Sequence, residues 1–129
     1  MATATKAVRR SDKARVLVVD DNDDYRHLVR VLLCSIGYDV LDVENGQLAI
    51  EACKSFSPAI VLVDYDMPVM NGMEFLDAKD ADESIARIPV VMITASEVDV
   101  RGRVIKKLAK PISASTVVLT VNNIVGDTK

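Results

Sequence analysis

The feature that most constrains this chain is the run Ala59-Ile60-Val61-Leu62-Val63, ended by Asp64-Tyr65-Asp66-Met67-Pro68 and closed by Asn71-Gly72. Five consecutive apolar residues, three of them β-branched, read as a strand buried on both faces, and such strands belong to parallel sheets. Pro68 supplies no ladder N–H and Asn71-Gly72 is turn chemistry, so the backbone leaves the sheet just past Asp64. Asp64 therefore stands at the carboxyl end of a buried strand, the edge at which open α/β sheets bind their ligands. Taken alone, such an aspartate is equally well a strand end that hydrogen-bonds the next turn. What else arrives at that edge decides between the two.

The same pattern recurs along the chain. Val16-Leu17-Val18-Val19 is a second buried strand, and it ends in Asp20-Asp21. Tyr25, Leu28, Val29, Leu32, Leu33 and Ile36 then recur at the helical period, with acidic residues at the start and Gly37 at the stop. Tyr38 to Val43 is a short strand; Asn45-Gly46 breaks the chain, and Leu48, Ala49, Ala52, Cys53 and Phe56 mark a second helix that Pro58 ends. A third helix runs from about Met73 to Lys79. Pro89 to Ile93 is the fourth strand, ending in Thr94-Ala95-Ser96, and Val104 to Ala109 reads as a fifth, ending in Lys110-Pro111. Ser113 caps a last helix with Val117, Val118, Val121, Ile124 and Val125 on one face, stopped by Gly126.

Alternating strands and helices predict a doubly wound, five-stranded parallel α/β sheet, flavodoxin-like, in the order 2-1-3-4-5. Right-handed crossovers bring every strand's carboxyl end to one edge. That edge collects Asp20, Asp21, Asp64, Thr94 and Lys110. The fourth crossover is the exception, because Ala95 to Arg103 is at or below the length of a connection that carries a helix. It also contains Gly102 and the poor helix formers Val98, Asp99 and Val100. A single helical turn or an irregular, mobile loop is predicted there. Residues 14–126 form the one domain, between a flexible basic arm (1–13) and a short tail (127–129).

With half of its 129 residues apolar, the chain builds a core and is not disordered. Its net charge of −3 argues against nucleic-acid binding. No apolar run approaches the roughly 18 residues of a membrane span, and no apolar segment follows the basic start, so a cytoplasmic protein is expected. Cys34 and Cys53 have no metal-ligand spacing and read as reduced thiols. His27, between Arg26 and Arg30 in sequence, reads as a solvated residue on the polar side of the first helix.

Clustered carboxylates repel one another and raise each other's pKa. A hard divalent cation relieves this; Mg²⁺ takes oxygen ligands and shares them with phosphate. The Lys110 ammonium and the Thr94 hydroxyl suit phosphoryl oxygens. Together these groups describe phosphoryl transfer, with Asp64 as nucleophile.

The chain resembles the receiver (phosphoacceptor) domain of two-component response regulators, the CheY-like family, over about residues 15 to 126. The resemblance is carried by Val16 to Asp21, by Val63 to Pro68 with Asn71-Gly72, by Pro89 to Ala95, and by Lys110-Pro111. It implies that Asp64 accepts a phosphoryl group from a phosphohistidine of a sensor kinase or histidine phosphotransfer protein. It implies Mg²⁺ held by Asp21, Asp64 and the backbone carbonyl of Asp66, with Asp20 contributing through water. Thr94 and Lys110 hold the phosphoryl oxygens, helped by the Tyr65 and Ala95 backbone N–H groups. Asp66 and Ser96 border the path of an attacking water and set the phosphoryl lifetime. Output is then by contact with a downstream protein, without nucleic acid, membrane or turnover of an external substrate.

Two positions depart from the family pattern. Lys107 stands where an aromatic residue is usual, and the stretch from Thr94 to Lys110 is short. Partners are therefore expected to read the first helix, around Tyr25 to Arg30, or the exposed sheet edge. Two other readings stay open. One is a receiver-like binding module that signals without phosphorylation, which Lys107 and the short stretch favour. The other is a haloacid-dehalogenase-type phosphatase, suggested by Asp64-Tyr65-Asp66. The upstream position of Asp20-Asp21 and the short chain argue against it.

Overall fold

The apolar runs become the centre of a sheet whose order is β2-β1-β3-β4-β5, every neighbouring pair parallel. The computed structural model describes residues 13–126. In chain order the elements are β1 (Arg15–Val19), α1 (Asp23–Ser35), β2 (Asp39–Val43), α2 (Gly46–Phe56), β3 (Ile60–Val63), α3 (Gly72–Asp80), β4 (Val90–Thr94), β5 (Lys106–Ala109) and α4 (Ala114–Val125). Apart from Lys13, the expected arm lies outside the described residues, as does the tail at 127–129.

Side chains alternate across a strand, so β1, β3 and β4 feed two apolar layers. Leu17, Val19, Val61, Val63 and Met92 meet Ala49, Ala52 and Cys53 of α2 and Phe75 and Leu76 of α3. Val16, Val18, Ile60, Leu62, Val91 and Ile93 meet Val29 and Leu33 of α1 and Val117, Val118 and Val121 of α4. Each fully buried aliphatic or Phe side chain contributes roughly 1.5–3 kcal/mol. The helices begin at the carboxyl edge of the sheet, and each first turn is closed by a short polar side chain. Asn22 accepts from the Tyr25 N–H at 2.9 Å, Asn45 from Leu48 at 2.9 Å, Asn71 from Glu74 at 2.8 Å and Ser113 from Thr116 at 3.1 Å. Such caps are worth about 1 kcal/mol apiece.

Residues 95–105 contain no helix, as their length and composition predict. β5 begins at Lys106 rather than at Val104, because Val104 is turned onto the apolar layer and the chain joins the ladder only at Ile105, whose N–H donates to the Val90 carbonyl at 2.8 Å. The loop occupies the place of a crossover helix without imitating one. Val100 is buried and Val98 and Val104 are half-buried against the α2/α3 layer. Arg103 clasps α3, donating to Asp77 at 3.0 Å and Asp80 at 2.9 Å and lying 3.3 Å from the Met73 sulfur. Lys107, in the position where an aromatic residue is usual, donates to the Val98 carbonyl at 2.8 Å and so ties the loop to β5.

Cys34 is exposed and Cys53 buried, and both are free thiols. Burial pushes the Cys53 thiol up to about 11, against the pull of the Lys79 ammonium, so it carries no reactive thiolate. Lys79 is itself buried and donates to the Ala86 carbonyl at 2.6 Å, which fastens the turn after α3. His27 is exposed. Among the described residues, no helix is long and apolar enough to cross a membrane.

Candidate functional site

The parallel ladders run one residue beyond the strands and fix the backbone of each key residue. The Asp20 N–H donates to the Val43 carbonyl at 3.2 Å, the Asp64 N–H to Val19 at 3.0 Å, and the Lys110 N–H to Thr94 at 3.0 Å. Strands β1, β3 and β5 therefore deliver Asp20, Asp64 and Lys110 to one edge, where their side chains meet. Asp20 and Asp64 are 4% and 6% exposed, whereas the adjacent Asp21 faces solvent.

Each buried carboxylate is divided between two tasks. One oxygen serves the local turn: Asp20 Oδ1 accepts from the Asn22 N–H at 2.9 Å, and Asp64 Oδ1 from the Asp66 N–H at 3.2 Å. The other faces the lysine, whose Nζ lies 3.0 Å from Asp20 Oδ2 and 3.1 Å from Asp64 Oδ2. Burial raises the Asp64 pKa above the ordinary aspartate range; Lys110 pulls it down without cancelling the shift, and the Asp20 charge pushes it further up. For Lys110, burial alone would lower the pKa, but its hydrogen bond and charge interaction with Asp20, and then those with Asp64, carry it upward. The ammonium is the counter-charge that lets two carboxylates share a buried corner.

Asp20, Asp21 and Asp64 each offer a carboxylate oxygen within 4.8 Å of the others. An all-oxygen acidic set, partly open through Asp21, fits a hard divalent cation such as Mg²⁺.

Beside this cluster runs a second chain of polar groups. The buried Thr94 accepts the Ser96 N–H on its Oγ1 at 3.0 Å, and the Ser96 hydroxyl donates to Asp66 Oδ2 at 2.6 Å. The two residues assigned to phosphoryl lifetime are thus joined to each other. Ala95 is exposed, while the half-buried Tyr65 packs its side chain on the α2/α3 layer and leaves its backbone at the edge. Every sequence-predicted site residue lies along this edge.

Two residues that the sequence reading placed on the first helix, but not in the site, contribute to it. Arg26 donates to the Asp20 carbonyl at 2.7 Å and to Asp42 at 2.7 Å, bracing the backbone of the acid pair. Tyr25 places its ring 5.1 Å from the Lys110 ammonium and donates its hydroxyl to the Ile112 carbonyl at 3.0 Å. Their signal was position: both lie in the first turn of the helix that starts at the acidic corner.

A parallel sheet in this order, with acids following the adjacent strands β1 and β3 and a lysine following the edge strand β5, is the build of a receiver-type signalling domain. The chain matches the response regulator receiver domain over residues 16–121 and belongs to that family. It is thus a receiver of two-component signalling, a class of signalling proteins rather than turnover enzymes, whose members typically bind Mg²⁺ in an acidic pocket. Among its relatives is the polar-differentiation response regulator DivK of Brucella anthropi, 29% identical over 118 residues, covering 87% of this chain and 96% of that one. The chemotaxis response regulator CheY4 of Vibrio cholerae superposes with a TM-score of 0.77 at 26% identity, covering 88% of this chain and 99% of that one. The receiver domain of the Francisella response regulator 1452 shares the fold, with a TM-score of 0.79 at 20% identity over 91% of this chain and all of that one.

Proposed function

We propose that this receiver accepts a phosphoryl group on Asp64 from a phosphohistidine of a sensor kinase or histidine phosphotransfer protein. The observation that carries the reading is the Lys110 ammonium bridging two buried carboxylates, 3.0 Å from Asp20 and 3.1 Å from Asp64. Asp20, Asp21, Asp64 and the Asp66 backbone carbonyl would hold Mg²⁺, which supplies charge neutralisation among the carboxylates and the phosphoryl oxygens.

The work of the chain's own residues follows from their geometry. An Asp64 oxygen attacks phosphorus as the phosphorus–nitrogen bond breaks and its electron pair returns to the imidazole. Lys110 then passes a hydrogen bond from the Asp64 carboxylate to a phosphoryl oxygen. Thr94 already accepts the Ser96 N–H, so its own O–H is free to donate to the phosphoryl group. The Tyr65 and Ala95 N–H groups supply further donors. Output passes to a downstream protein by surface contact, and the chain acts in the cytoplasm.

Incubation with acetyl phosphate and Mg²⁺, followed by intact mass, tests this directly. One phosphoryl mass should appear, and chelation of the metal should prevent it. No gain under either condition would favour a module that signals unphosphorylated.

Mg²⁺ alone should also stabilise the wild type, because it binds the folded acid cluster and not the unfolded chain. A tenfold excess over its Kd should raise the melting temperature by about 5 °C. Asp21→Ala should show almost no such shift. Equal shifts would mean that the ions act nonspecifically.

Asp66→Leu should leave uptake near the wild-type rate and change the hydrolysis half-life of the phosphorylated protein. The substitution removes the acceptor of the Ser96 hydroxyl and puts an apolar side chain on the water's approach. An unchanged half-life would take Asp66 and Ser96 out of the mechanism.

A further inference from the structure

We propose that Tyr25 is a positioning residue that holds the Lys110 ammonium between Asp20 and Asp64; the inference deepens the phosphoacceptor reading above and rests on it. Lysine is a point charge on a flexible four-carbon stem, and a bridge to two acids demands one conformation of it. The ladder fixes only its backbone. What confines the far end is the Tyr25 ring, whose centroid lies 5.1 Å from Nζ. The ring is fixed in turn at both of its ends. The Tyr25 backbone N–H donates to the Asn22 cap at 2.9 Å, and its hydroxyl donates to Ile112 at 3.0 Å, in the loop that follows Lys110. One side chain of α1 thus grips both the ammonium and the segment that carries it.

Packing does not require this arrangement. Tyr25 is half-buried at the margin of the α1/α4 layer, a position that does not by itself call for an aromatic ring. An aromatic face adds attraction for a cation, and more so where the cation is partly desolvated; the Lys110 side chain is 23% exposed. An open cleft of about 390 Å³, lined by Asn22, Tyr25, Ala95, Lys110, Pro111 and Ile112, leads to the same ammonium from solvent. The ring therefore also forms part of the wall past which a phosphodonor would reach it.

The test compares wild type, Tyr25→Phe and Tyr25→Leu in the full chain, with two readouts. The first is the ring-current shift on the side-chain methylene protons next to the Lys110 ammonium, which needs no activity. These protons should resonate upfield in wild type and Tyr25→Phe and move to ordinary values in Tyr25→Leu. The second is the initial rate of phosphoryl uptake from acetyl phosphate with Mg²⁺. Tyr25→Leu should slow it roughly threefold to tenfold and Tyr25→Phe by no more than about twofold. In a Lys110→Ala background, Tyr25→Leu should slow uptake no further, since the ring acts through the lysine. Identical Lys110 resonances in wild type and Tyr25→Leu would overturn the proposal. So would equal slowing by Tyr25→Leu in both backgrounds, or no slowing in a wild type that takes up phosphate. A wild type that gains no phosphoryl mass would instead sink the Asp64 reading, while the resonances would still decide whether Tyr25 holds Lys110.

Discussion

Asp64→Asn is expected to abolish phosphoryl uptake, keep the fold, and melt at a higher temperature than wild type at neutral pH without divalent metal. The first effect follows from chemistry, because an amide cannot form the acyl phosphate. The last follows from linkage. Burial holds the Asp64 carboxyl above its ordinary range despite Lys110. A carboxyl whose folded pKa is raised lends stability only while it is protonated. That contribution is complete below the ordinary aspartate pKa and is lost as pH rises through the raised one. Once pH passes the raised pKa the wild type has lost it, whereas asparagine never ionises. Lys110 still has Asp20, 3.0 Å away in the native protein, to pair with when Asp64 is neutral. Melting curves should therefore nearly coincide in acid and separate as pH rises toward neutrality. A phosphoryl mass on the variant would reassign the acceptor, and a variant that melts lower at neutral pH would show that the Lys110 pairing outweighs the burial of the charge.

Gly72→Ala should be the most damaging small change near the site. Its added methyl would stand 2.6 Å from the Asp64 carbonyl oxygen and 2.8 Å from the Tyr65 Cα, both backbone atoms. The Gly72 N–H also donates to the Tyr65 carbonyl at 2.8 Å, so the loop is clasped where the methyl must go. Alanine in the first turn of a helix would otherwise gain up to about 1 kcal/mol over glycine. Overpacking against a backbone that cannot swing aside costs roughly 1–3 kcal/mol, and it wins. The strain falls on the residue that must attack, where a displacement on the order of 1 Å can cost about a hundredfold in rate. Both the melting temperature and the uptake rate should fall. The contrasting substitution is Gly102→Ala, where the methyl meets nothing within 4 Å and the penalty comes only from a φ of +81°. It should lower stability and leave uptake alone. A stabilised Gly72→Ala with normal uptake would refute the close packing behind Asp64.

The acidic corner was legible because its signal is local and repeated. An apolar run ending in a carboxylate names both a strand and the end at which its chemistry sits, and Asp20 and Asp64 each carry that signal. Lys110 was legible from its place at the end of the fifth strand. The missing crossover helix could be read from length and from Gly102. The bond from Lys107 to Val98 and the Arg103 clasp could not, since they join residues whose proximity exists only once the loop has folded. Tyr25 was read as one more apolar position of a helix, because periodicity records which face a residue occupies and not what lies opposite. Lys79, read only as the end of the third helix, is 3% exposed, its ammonium satisfied by a carbonyl that no pattern predicts. The start of β5 was misplaced by two residues because a valine that packs inward looks the same in sequence whether or not its backbone has joined a ladder.

β5 is unlike the strands beside it. All five residues of β4 are buried, whereas in β5 only Leu108 is even half-buried. It is an edge strand, paired to β4 alone, and the Lys107 bond fastens it to its own loop rather than to the core. Segments with so little buried area open at lower free energy than the core that surrounds them. Asp20 and Asp64 follow directly on the buried strands β1 and β3, whereas Lys110 follows directly on the exposed β5. The negative and positive halves of the site thus rest on strands of very different burial, and local opening is expected to reach the positive half first. A local opening of β5 would withdraw the ammonium and leave the two acids in place, so the site would lose its neutralising charge without the domain unfolding.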